Sequence, residues 1–207
     1  MQHKEEKEAL VLLVCKKIIT YFILFFSFIN IAYSTTKQEI IKDVETYLNN
    51  IKYLQSKFIQ DDLINSRLSE GIFYLSRPNK LRIDYLNPFE ASLYIDNRTV
   101  IYYDKELDEV HNIKTADTPL KFLLRNRISL NNKDFSVIDA TDNNNIITIS
   151  FEEKKDNHKL ILTFKKSPMS LQKIKLITSD GQEIEMSLFD QTNTPIQNST
   201  FVFKKKK

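Results

Sequence analysis

Apolar and polar positions alternate along this chain with two different periods. Over residues 40–51 the apolar side chains recur at the three- and four-residue spacing of one helix face, with Lys, Glu and Asp between them. Thr35 or Thr36 can cap the start of this helix, and the Asn pair at 49–50 is a suitable stop. The pattern therefore predicts an amphipathic helix with a single apolar face.

From Leu54 onward the period changes to two, and short runs rich in Ile, Tyr, Phe and Val follow one another. In chain order the runs are LQSKFIQ, SEGIFYLS, KLRIDYL, ASLYI, TVIYYD, EVHNI, DFSVIDA, NIITISFEE, KLILTFKK, LQKIKLIT, EIEMSLFD and STFVFK. Asp180-Gly181, between two of these runs, is a strong hairpin signal. About a dozen strands with short connections predict a mainly β protein, an antiparallel meander that forms a large sheet or an open barrel.

The strand series is interrupted once, at residues 115–127. Thr118 can cap a short helix there, and Pro119 suits the first helical position. Residues 120–124 make this helix very apolar. Because such a helix needs a large apolar surface to rest on, we expect it and the N-terminal helix to cover the concave face of the sheet.

The first 34 residues have the organisation of a secretory signal peptide. Two lysines at 16–17 precede an uncharged apolar run, Ile18–Ala32, and Ala32 and Ser34 occupy the small-residue positions before a cleavage site. The run is shorter than the roughly 20 residues that span a bilayer. Cleavage would leave a single domain at 35–207, and an uncleaved N-terminal anchor is the alternative.

Composition removes several classes of function. The net charge is +3 and the dense basic cluster is the tail Lys204–Lys207, so no nucleic-acid partner is expected. Cys15 lies in the leader, which leaves the exported domain without thiol catalysis or thiolate metal sites. His111 and His158 stand without a partner at metal-ligand spacing, and Glu152-Glu153 is interpreted as a solvated turn. We therefore predict no enzyme activity, no metal and no cofactor.

Two of the predicted strands, SLYI at 92–95 and TVIYY at 99–103, are apolar on both faces. One face of an antiparallel sheet usually meets water, so a strand of this kind needs a covering group on each side. A helix across one face would provide it, and so would an apolar cavity that holds a lipid.

Four motifs, in this order and spacing, resemble those of the LolA family, the periplasmic carriers of outer-membrane lipoproteins. They are FIQ at 58–60, EGIFYLSRPNKLRIDYLNP at 70–88, DNRTVIYYDKELDEV at 96–110 and DTPLKFLL at 117–124. The resemblance implies an incomplete, half-open antiparallel β-barrel with an apolar concave face, covered by the N-terminal helix and a short helical lid.

The resemblance also implies the task and the partners. A periplasmic carrier of this kind receives lipoproteins from an inner-membrane ABC-type releasing complex and hides their acyl chains. It then delivers them to an outer-membrane lipoprotein acceptor, where one is present. We expect a monomer.

The resemblance also implies roles for particular residues. Arg77 and Pro78 match the RP motif, whose arginine hydrogen-bonds the lid in the closed state; from the residues alone, Arg77 is equally a solvated strand end. The residues expected to line the acyl-chain cavity are Leu81, Ile83, Tyr85, Leu93, Ile95, Phe122 and Leu123. Ordinary core packing is the alternative for all seven. By strand parity, Lys80, Arg82 and Asp84 should face solvent.

Two other functions fit the same pattern. A lipid-binding acceptor on this half-barrel would be lipid-anchored, but no cysteine follows the apolar run of the leader. A periplasmic sensor or scaffold domain held by an uncleaved leader would bind a protein instead of an acyl chain.

Overall fold

The structure, a computed structural model, describes residues 36–96, 99–114 and 119–205, without the side chains of residues 113, 114 and 119. These residues belong to one compact unit, Thr36–Lys207. The predicted signal peptide, the turn at 97–98 and the Thr118 cap lie outside the described residues. Within the described ranges, no helix has the length and apolar composition required to cross a membrane.

The predicted N-terminal helix is present as α1, Lys37–Asn50. Thr36 caps it: its hydroxyl accepts a hydrogen bond from the Glu39 backbone N–H, and the Glu39 carboxylate accepts one from the Thr36 backbone N–H. The fully buried positions of its apolar face are Ile40, Val44 and Leu48. The helix ends at the predicted Asn pair, so both of its boundaries are confirmed.

Eleven strands form one open antiparallel sheet across the described residues. They are β1 Tyr53–Asp62, β2 Arg67–Ser76, β3 Lys80–Asn87, β4 Ala91–Ile95, β5 Thr99–Asp104, β6 Glu109–Lys114, β7 Phe135–Asn143, β8 Ile146–Glu153, β9 His158–Lys166, β10 Met169–Ile177 and β11 Glu183–Thr192. Their order in the sheet is β6-β5-β4-β3-β2-β1-β11-β10-β9-β8-β7. The edges β6 and β7 do not pair, which confirms a half-open architecture.

The sheet consists of two meanders that meet in the middle. Strands β1–β6 (the first arm) run outward to one edge, and the chain then crosses to the opposite edge. Strands β7–β11 (the second arm) return from there, until β11 pairs with β1. The connection between the arms carries a 3-10 helix, Pro119–Leu124, which we call the crossover helix. The inserted apolar helix predicted from the sequence is therefore confirmed.

The turn between β10 and β11 contains the predicted hairpin signal. Gly181 has φ +86°, and its N–H donates a 3.0 Å hydrogen bond to the Thr178 carbonyl. A positive φ of this size is readily adopted by glycine because it has no Cβ. The hairpin prediction is confirmed.

The main core lies on the concave face, where alternate strand residues point. On β8 and β9 the buried apolar positions are Ile147, Ile149, Phe151, Leu160, Leu162 and Phe164. α1 packs on this surface, with the Tyr47 ring 5.5 Å from the Phe164 ring in an edge-to-face contact. The Tyr47 hydroxyl also accepts a 2.9 Å hydrogen bond from the Leu171 N–H on β10. The expectation that helices cover the concave face is thus confirmed for α1.

The prediction that STFVFK forms a last strand is wrong. Residues Asn198–Phe201 form a 3-10 helix, and the chain continues over the convex face of the first arm. We call residues 198–205 the C-terminal segment. Its Phe203 ring lies 5.5 Å from the Tyr94 ring and 5.3 Å from the Tyr103 ring. The segment therefore supplies the second covering layer that the doubly apolar strands β4 and β5 require.

The expectation that Arg82 and Asp84 face solvent is also wrong, although they do lie on the convex face. Asp84 is only 7% exposed, and its carboxylate accepts hydrogen bonds from Arg82 Nε at 2.8 Å and Ser92 Oγ at 2.6 Å. Arg82 in turn donates to the Thr200 carbonyl of the C-terminal segment at 2.8 Å. A charge can be buried here because it is paired and hydrogen-bonded. Lys80 is half-buried and donates to Asn198 Oδ1 at 2.8 Å.

Candidate functional site

The seven residues predicted to line an acyl-chain cavity all lie in or against one apolar cluster. Leu81, Ile83, Ile95, Phe122 and Leu123 are buried in it, and Tyr85 and Leu93 pack on it half-buried. The buried face of α1 belongs to the same cluster. The structure therefore brings the predicted residues together, and their contact with acyl chains stays a prediction.

Strand register explains why the first-arm members of this set are neighbours. In the β3–β4 pair, Leu81 stands opposite Ile95 and Ile83 opposite Leu93. Directly paired residues share a face of the sheet, with Cβ atoms about 5 Å apart. The two strands thus present a continuous apolar strip to the concave side.

Tyr85 marks one end of this strip. Its ring lies 5.5 Å from the Phe58 ring and stacks on Phe89 at 5.7 Å, and its hydroxyl donates to Gln60 Oε1 at 3.0 Å. Burial raises the pKa of Tyr85 to about 12. Gly71 makes room for this packing, because a Cβ there would lie 2.7 Å from the Phe58 ring and 1.9 Å from a backbone oxygen.

A groove of about 540 Å³ opens beside this end of the strip. Its lining residues are Gln60, Asp62, Arg67, Leu68, Ser69, Pro88 and Phe89. Gln60 and Phe89 both contact Tyr85, so the groove adjoins the apolar cluster.

Arg77, directly after β2, joins the two elements that cover the concave face. Its Nη1 donates to the carbonyl oxygens of Leu48 and, at 3.5 Å, Ile51, at the C-terminal end of α1. Its Nη2 donates to the carbonyls of Arg125 at 2.7 Å and Asn126 at 3.3 Å, just after the crossover helix. We call this set of contacts the Arg77 latch.

The electrostatics of the latch favour a guanidinium. The last carbonyls of a helix carry partial negative charge and lack donors within the helix. Arg offers five donors in a planar fork, so one side chain can serve two peptide segments at once. Burial lowers the pKa of Arg77, yet an arginine in proteins remains charged at neutral pH.

The backbone around Arg77 holds the fork in position. The Arg77 N–H donates to the Lys52 carbonyl at 2.8 Å, which fixes the residue against the link between α1 and β1. Pro78 follows through a cis peptide bond, and the Asn79 N–H donates to the Leu124 carbonyl of the crossover helix at 3.0 Å. The RP turn thus contacts both covering elements through its backbone as well.

Two further side chains, which no sequence pattern identifies, tie α1 to the loop after the crossover helix. The Asn49 side-chain amide donates to the Ile128 carbonyl and accepts from the Ile128 N–H, both at 2.8 Å. Glu45 accepts from the Leu130 N–H at 2.7 Å and from Ser129 Oγ at 3.2 Å. Asn49 was predicted only as part of a helix stop. Its partner is 79 residues away in sequence, so no local pattern identifies it.

The crossover helix is held on the second arm by aromatic contacts. The Phe122 ring lies 5.4 Å from the Phe151 ring and 6.5 Å from the Phe135 ring, and the latter two rings are 5.7 Å apart. All three contacts are edge-to-face, the arrangement that aromatic quadrupoles favour. We call Phe122, Phe135 and Phe151 the aromatic cluster.

The interpretation of Glu153 as part of a solvated turn is wrong. His158 has no partner at metal-ligand spacing in the sequence, but the fold places it beside Glu153 and Asp156. Glu153 ends β8 and His158 begins β9, and the two residues pair across the hairpin. Glu153 is 3% exposed and accepts a 2.7 Å ion pair from Lys121 of the crossover helix. Asp156, in the turn, completes a group of three side chains with metal-ligating atoms within 4.8 Å of one another. The hairpin register brings these groups together, although their sequence spacing matches no familiar motif.

Comparison with known proteins assigns a family. Residues 49–204 match the family described as outer membrane lipoprotein carrier protein LolA. An outer-membrane lipoprotein carrier protein of Methylococcus capsulatus is 35% identical over 80 residues, which are 37% of this chain and 37% of that relative. The aligned stretch thus spans little more than a third of that relative's length.

Longer matches are weaker in sequence. An outer-membrane lipoprotein carrier protein of Pasteurella multocida is 23% identical over 176 residues, 78% of this chain and 80% of the relative. A conserved protein of Thermus thermophilus, known from its crystal structure, superposes with a TM-score of 0.50 at 11% identity. That superposition covers 79% of this chain and 91% of the other, and it shows a common fold.

Proposed function

Because the chain belongs to the LolA family of outer membrane lipoprotein carrier proteins, we propose that it carries lipoproteins across the periplasm. The acyl chains of the cargo lie against the concave apolar strip of the sheet. The protein acts without catalysis: it shields the chains from water and then gives them up.

The observation that supports this proposal most is how the apolar cluster is covered. The cluster extends from the first arm to the second, and its cover consists of α1 and the crossover helix, two short elements. An acyl chain gains about 0.8 kcal/mol for each methylene it removes from water. A chain of ordinary length therefore gains enough to replace part of the contacts that these two elements make.

The Arg77 latch is the point at which such an exchange can be regulated. Arg77 holds the C-terminal end of α1 and the loop after the crossover helix together, and both must separate before a chain can enter between them. A cargo that binds only the open form shifts the population toward that form by its differential affinity. We assign Arg77 and Pro78 to this gate, and the seven residues Leu81, Ile83, Tyr85, Leu93, Ile95, Phe122 and Leu123 to the cavity.

The proposed route follows from the same role. Residues 1–34 export the chain as a cleavable signal peptide, and the domain at 35–207 works in the periplasm as a monomer. An inner-membrane ABC-type complex supplies the cargo, and an outer-membrane acceptor, where present, receives it. No nucleic acid, metal or cofactor takes part in this transfer.

Depletion of the protein in its own cell tests the role directly. We expect outer-membrane lipoproteins to accumulate in the inner membrane, as measured by immunoblotting of separated membranes. Integral outer-membrane proteins serve as the control and should keep their location over the same period. Unchanged lipoprotein sorting after depletion would refute the carrier function.

Binding of a fluorescent fatty acid to the purified protein tests the site. Leu93→Asp places a charge on the concave strip and should abolish most of the binding, since Leu93 packs on the apolar cluster. Leu107→Asp is the matched control, because Leu107 is 68% exposed in a turn. Equal binding by both variants would remove the concave strip from the proposal.

A further inference from the structure

A polar cluster at the β8–β9 hairpin is not used by the proposed carrier function. Glu153 and His158 are paired across the two strands, and Asp156 lies in the turn between them. The alternation of buried residues on β8 and β9 places Glu153 and His158 on the concave side, in line with the apolar core. One oxygen or nitrogen ligand atom from each of the three residues lies within 4.8 Å of the other two.

The ion pair with Lys121 leaves two buried acceptors in this cluster unsatisfied. Glu153 Oε1 accepts from Lys121 Nζ at 2.7 Å, but Glu153 Oε2 has no hydrogen-bond partner in the part of the chain that the structure describes. The same holds for His158 Nδ1, which is also buried from solvent. A buried polar atom without a partner is costly, and most such atoms have an explanation. Here both are groups that can donate a lone pair to a cation.

We propose that Glu153, Asp156 and His158 bind a divalent transition-metal ion, for which Zn²⁺ is the best fit, in competition with the ammonium group of Lys121. One imidazole and two carboxylates are common zinc ligands, and the fourth position remains available to water. The site does not depend on the carrier role proposed above.

Metal binding requires only a small decrease in the distances between the three ligand atoms. Zn–N and Zn–O bonds of roughly 2.0–2.2 Å place the ligand atoms of a tetrahedral site about 3.4 Å apart. The three ligand atoms, all within 4.8 Å of one another, must therefore approach by at most about 1.4 Å. Asp156 can supply that movement, because its side chain is 33% exposed and lies in a hairpin turn.

A metal ion bound at this site would affect the contacts of Lys121. Its ammonium group contacts Glu153 at 2.7 Å and Asp156 at 3.8 Å, so it stands beside two of the three ligands. A divalent cation and the ammonium group repel each other when both lie beside these carboxylates. Metal binding therefore weakens the contact between Lys121 and Glu153, which is one polar contact between the crossover helix and the second arm.

Calorimetric titration of the purified, tag-free, chelator-treated protein with Zn²⁺ tests the site. We expect saturable binding at one equivalent, and His158→Ala should weaken it at least about tenfold by removing one of three ligands. His111→Ala is the control: that imidazole lies on β6 beside Glu109, and its loss should leave the affinity unchanged. Lys121→Met should tighten binding several-fold, because it removes the competing cation.

Each other outcome overturns the proposal or part of it. Absence of saturable binding, or equal effects of the two histidine variants, means that there is no metal site at this hairpin. Weaker or unchanged binding by Lys121→Met refutes the competition. Asp156→Asn, at a partly exposed position, provides a second ligand variant if His158→Ala lowers the thermal midpoint; full affinity in a folded Asp156→Asn protein also counts against the site.

Discussion

The Arg77 latch and the aromatic cluster both hold the cover of the concave face in place, but by different chemistry. The latch joins α1 to the loop after the crossover helix, and the aromatic cluster fixes the crossover helix on the second arm. At the latch, one guanidinium meets four carbonyl oxygens, which exchange to water when the contact opens. At the cluster, three fully buried rings meet edge to face. A hydrogen bond to a charged group contributes about 1.5–3 kcal/mol net, whereas removal of a buried phenylalanine ring costs about 3–5 kcal/mol.

This difference separates anchoring from regulation. The aromatic contacts have no substitute in water, so the crossover helix stays on the second arm unless another apolar group replaces them. The latch contacts do have a substitute, since water can solvate both the guanidinium and the carbonyls. We therefore expect opening to begin at the latch, while the aromatic cluster sets how much a cargo must contribute.

The largest effect should come from breaking the aromatic cluster. Phe122→Ala leaves a cavity between the crossover helix and the sheet and should lower the free energy of unfolding by about 3–5 kcal/mol, as measured by urea denaturation. Phe189→Ala is the matched control, because Phe189 is 40% exposed on the convex face and its loss should cost less than about 1 kcal/mol. Similar losses from both variants would contradict the anchoring role.

Breaking the latch should have a smaller effect on stability and a specific effect on opening. Arg77→Leu should lower the free energy of unfolding by about 2–3 kcal/mol. Hydrogen exchange at the C-terminal end of α1 should become much faster, and cargo release should change with it. Arg77→Lys keeps the charge but loses the planar fork of donors. Its free energy of unfolding and its exchange rate should therefore lie between those of the wild type and of Arg77→Leu. If Arg77→Leu exchanges and releases cargo as the wild type does, Arg77 is not the gate.

Alkaline pH should destabilise the apolar strip at Tyr85. Burial raises the pKa of Tyr85 from 10.0 to about 12, so the unfolded chain loses this proton first as the pH rises. The stability contribution is complete below pH 10 and is lost between pH 10 and pH 12, by about 2–3 kcal/mol. Tyr85→Phe should make the loss of stability between pH 10 and pH 12 smaller than in the wild type, as measured by denaturation across that range. An identical profile in the variant would assign the loss to other groups.

The smallest effect should come from the secondary tie between α1 and the loop after the crossover helix. Asn49→Ala removes the paired hydrogen bonds to Ile128 and should cost about 1 kcal/mol. Asn50→Ala, at the adjacent exposed position, should cost almost nothing and serves as the control. If hydrogen exchange at the C-terminal end of α1 is as fast in Asn49→Ala as in Arg77→Leu, both residues hold the latch closed.

Local patterns predicted the elements of this fold, because each depends on neighbours in sequence. The Thr36 cap, the Gly181 turn and the parity of Leu81 and Ile83 follow from spacing alone. The C-terminal segment could not be found in this way. Its alternation is typical of a strand, but β3–β5 are already paired on both sides, so the segment lies across their convex face.

The candidate site was predictable only where a motif points to it. Arg77 was found through its RP motif, whereas Asn49 and Glu45 are ordinary helix residues whose partners lie 79 and 85 positions away. Burial of Glu153 was missed for the same reason. It depends on the β8–β9 register and on Lys121 of the crossover helix, and the sequence around Glu152-Glu153 contains no sign of either.

The central pairing of β1 with β11 has a consequence for the order of folding. Both arms can form hairpin by hairpin from contacts close in sequence, but Phe58 must wait for Leu188, its partner on the adjacent strand, which lies near the other end of the chain. Such a late, distant contact slows folding. Until it forms, β1 presents an unpaired edge to any other extended chain. A polypeptide that is synthesised from its N-terminus therefore passes through an interval in which the first arm is complete but still open to association, and this interval ends when the second arm has formed.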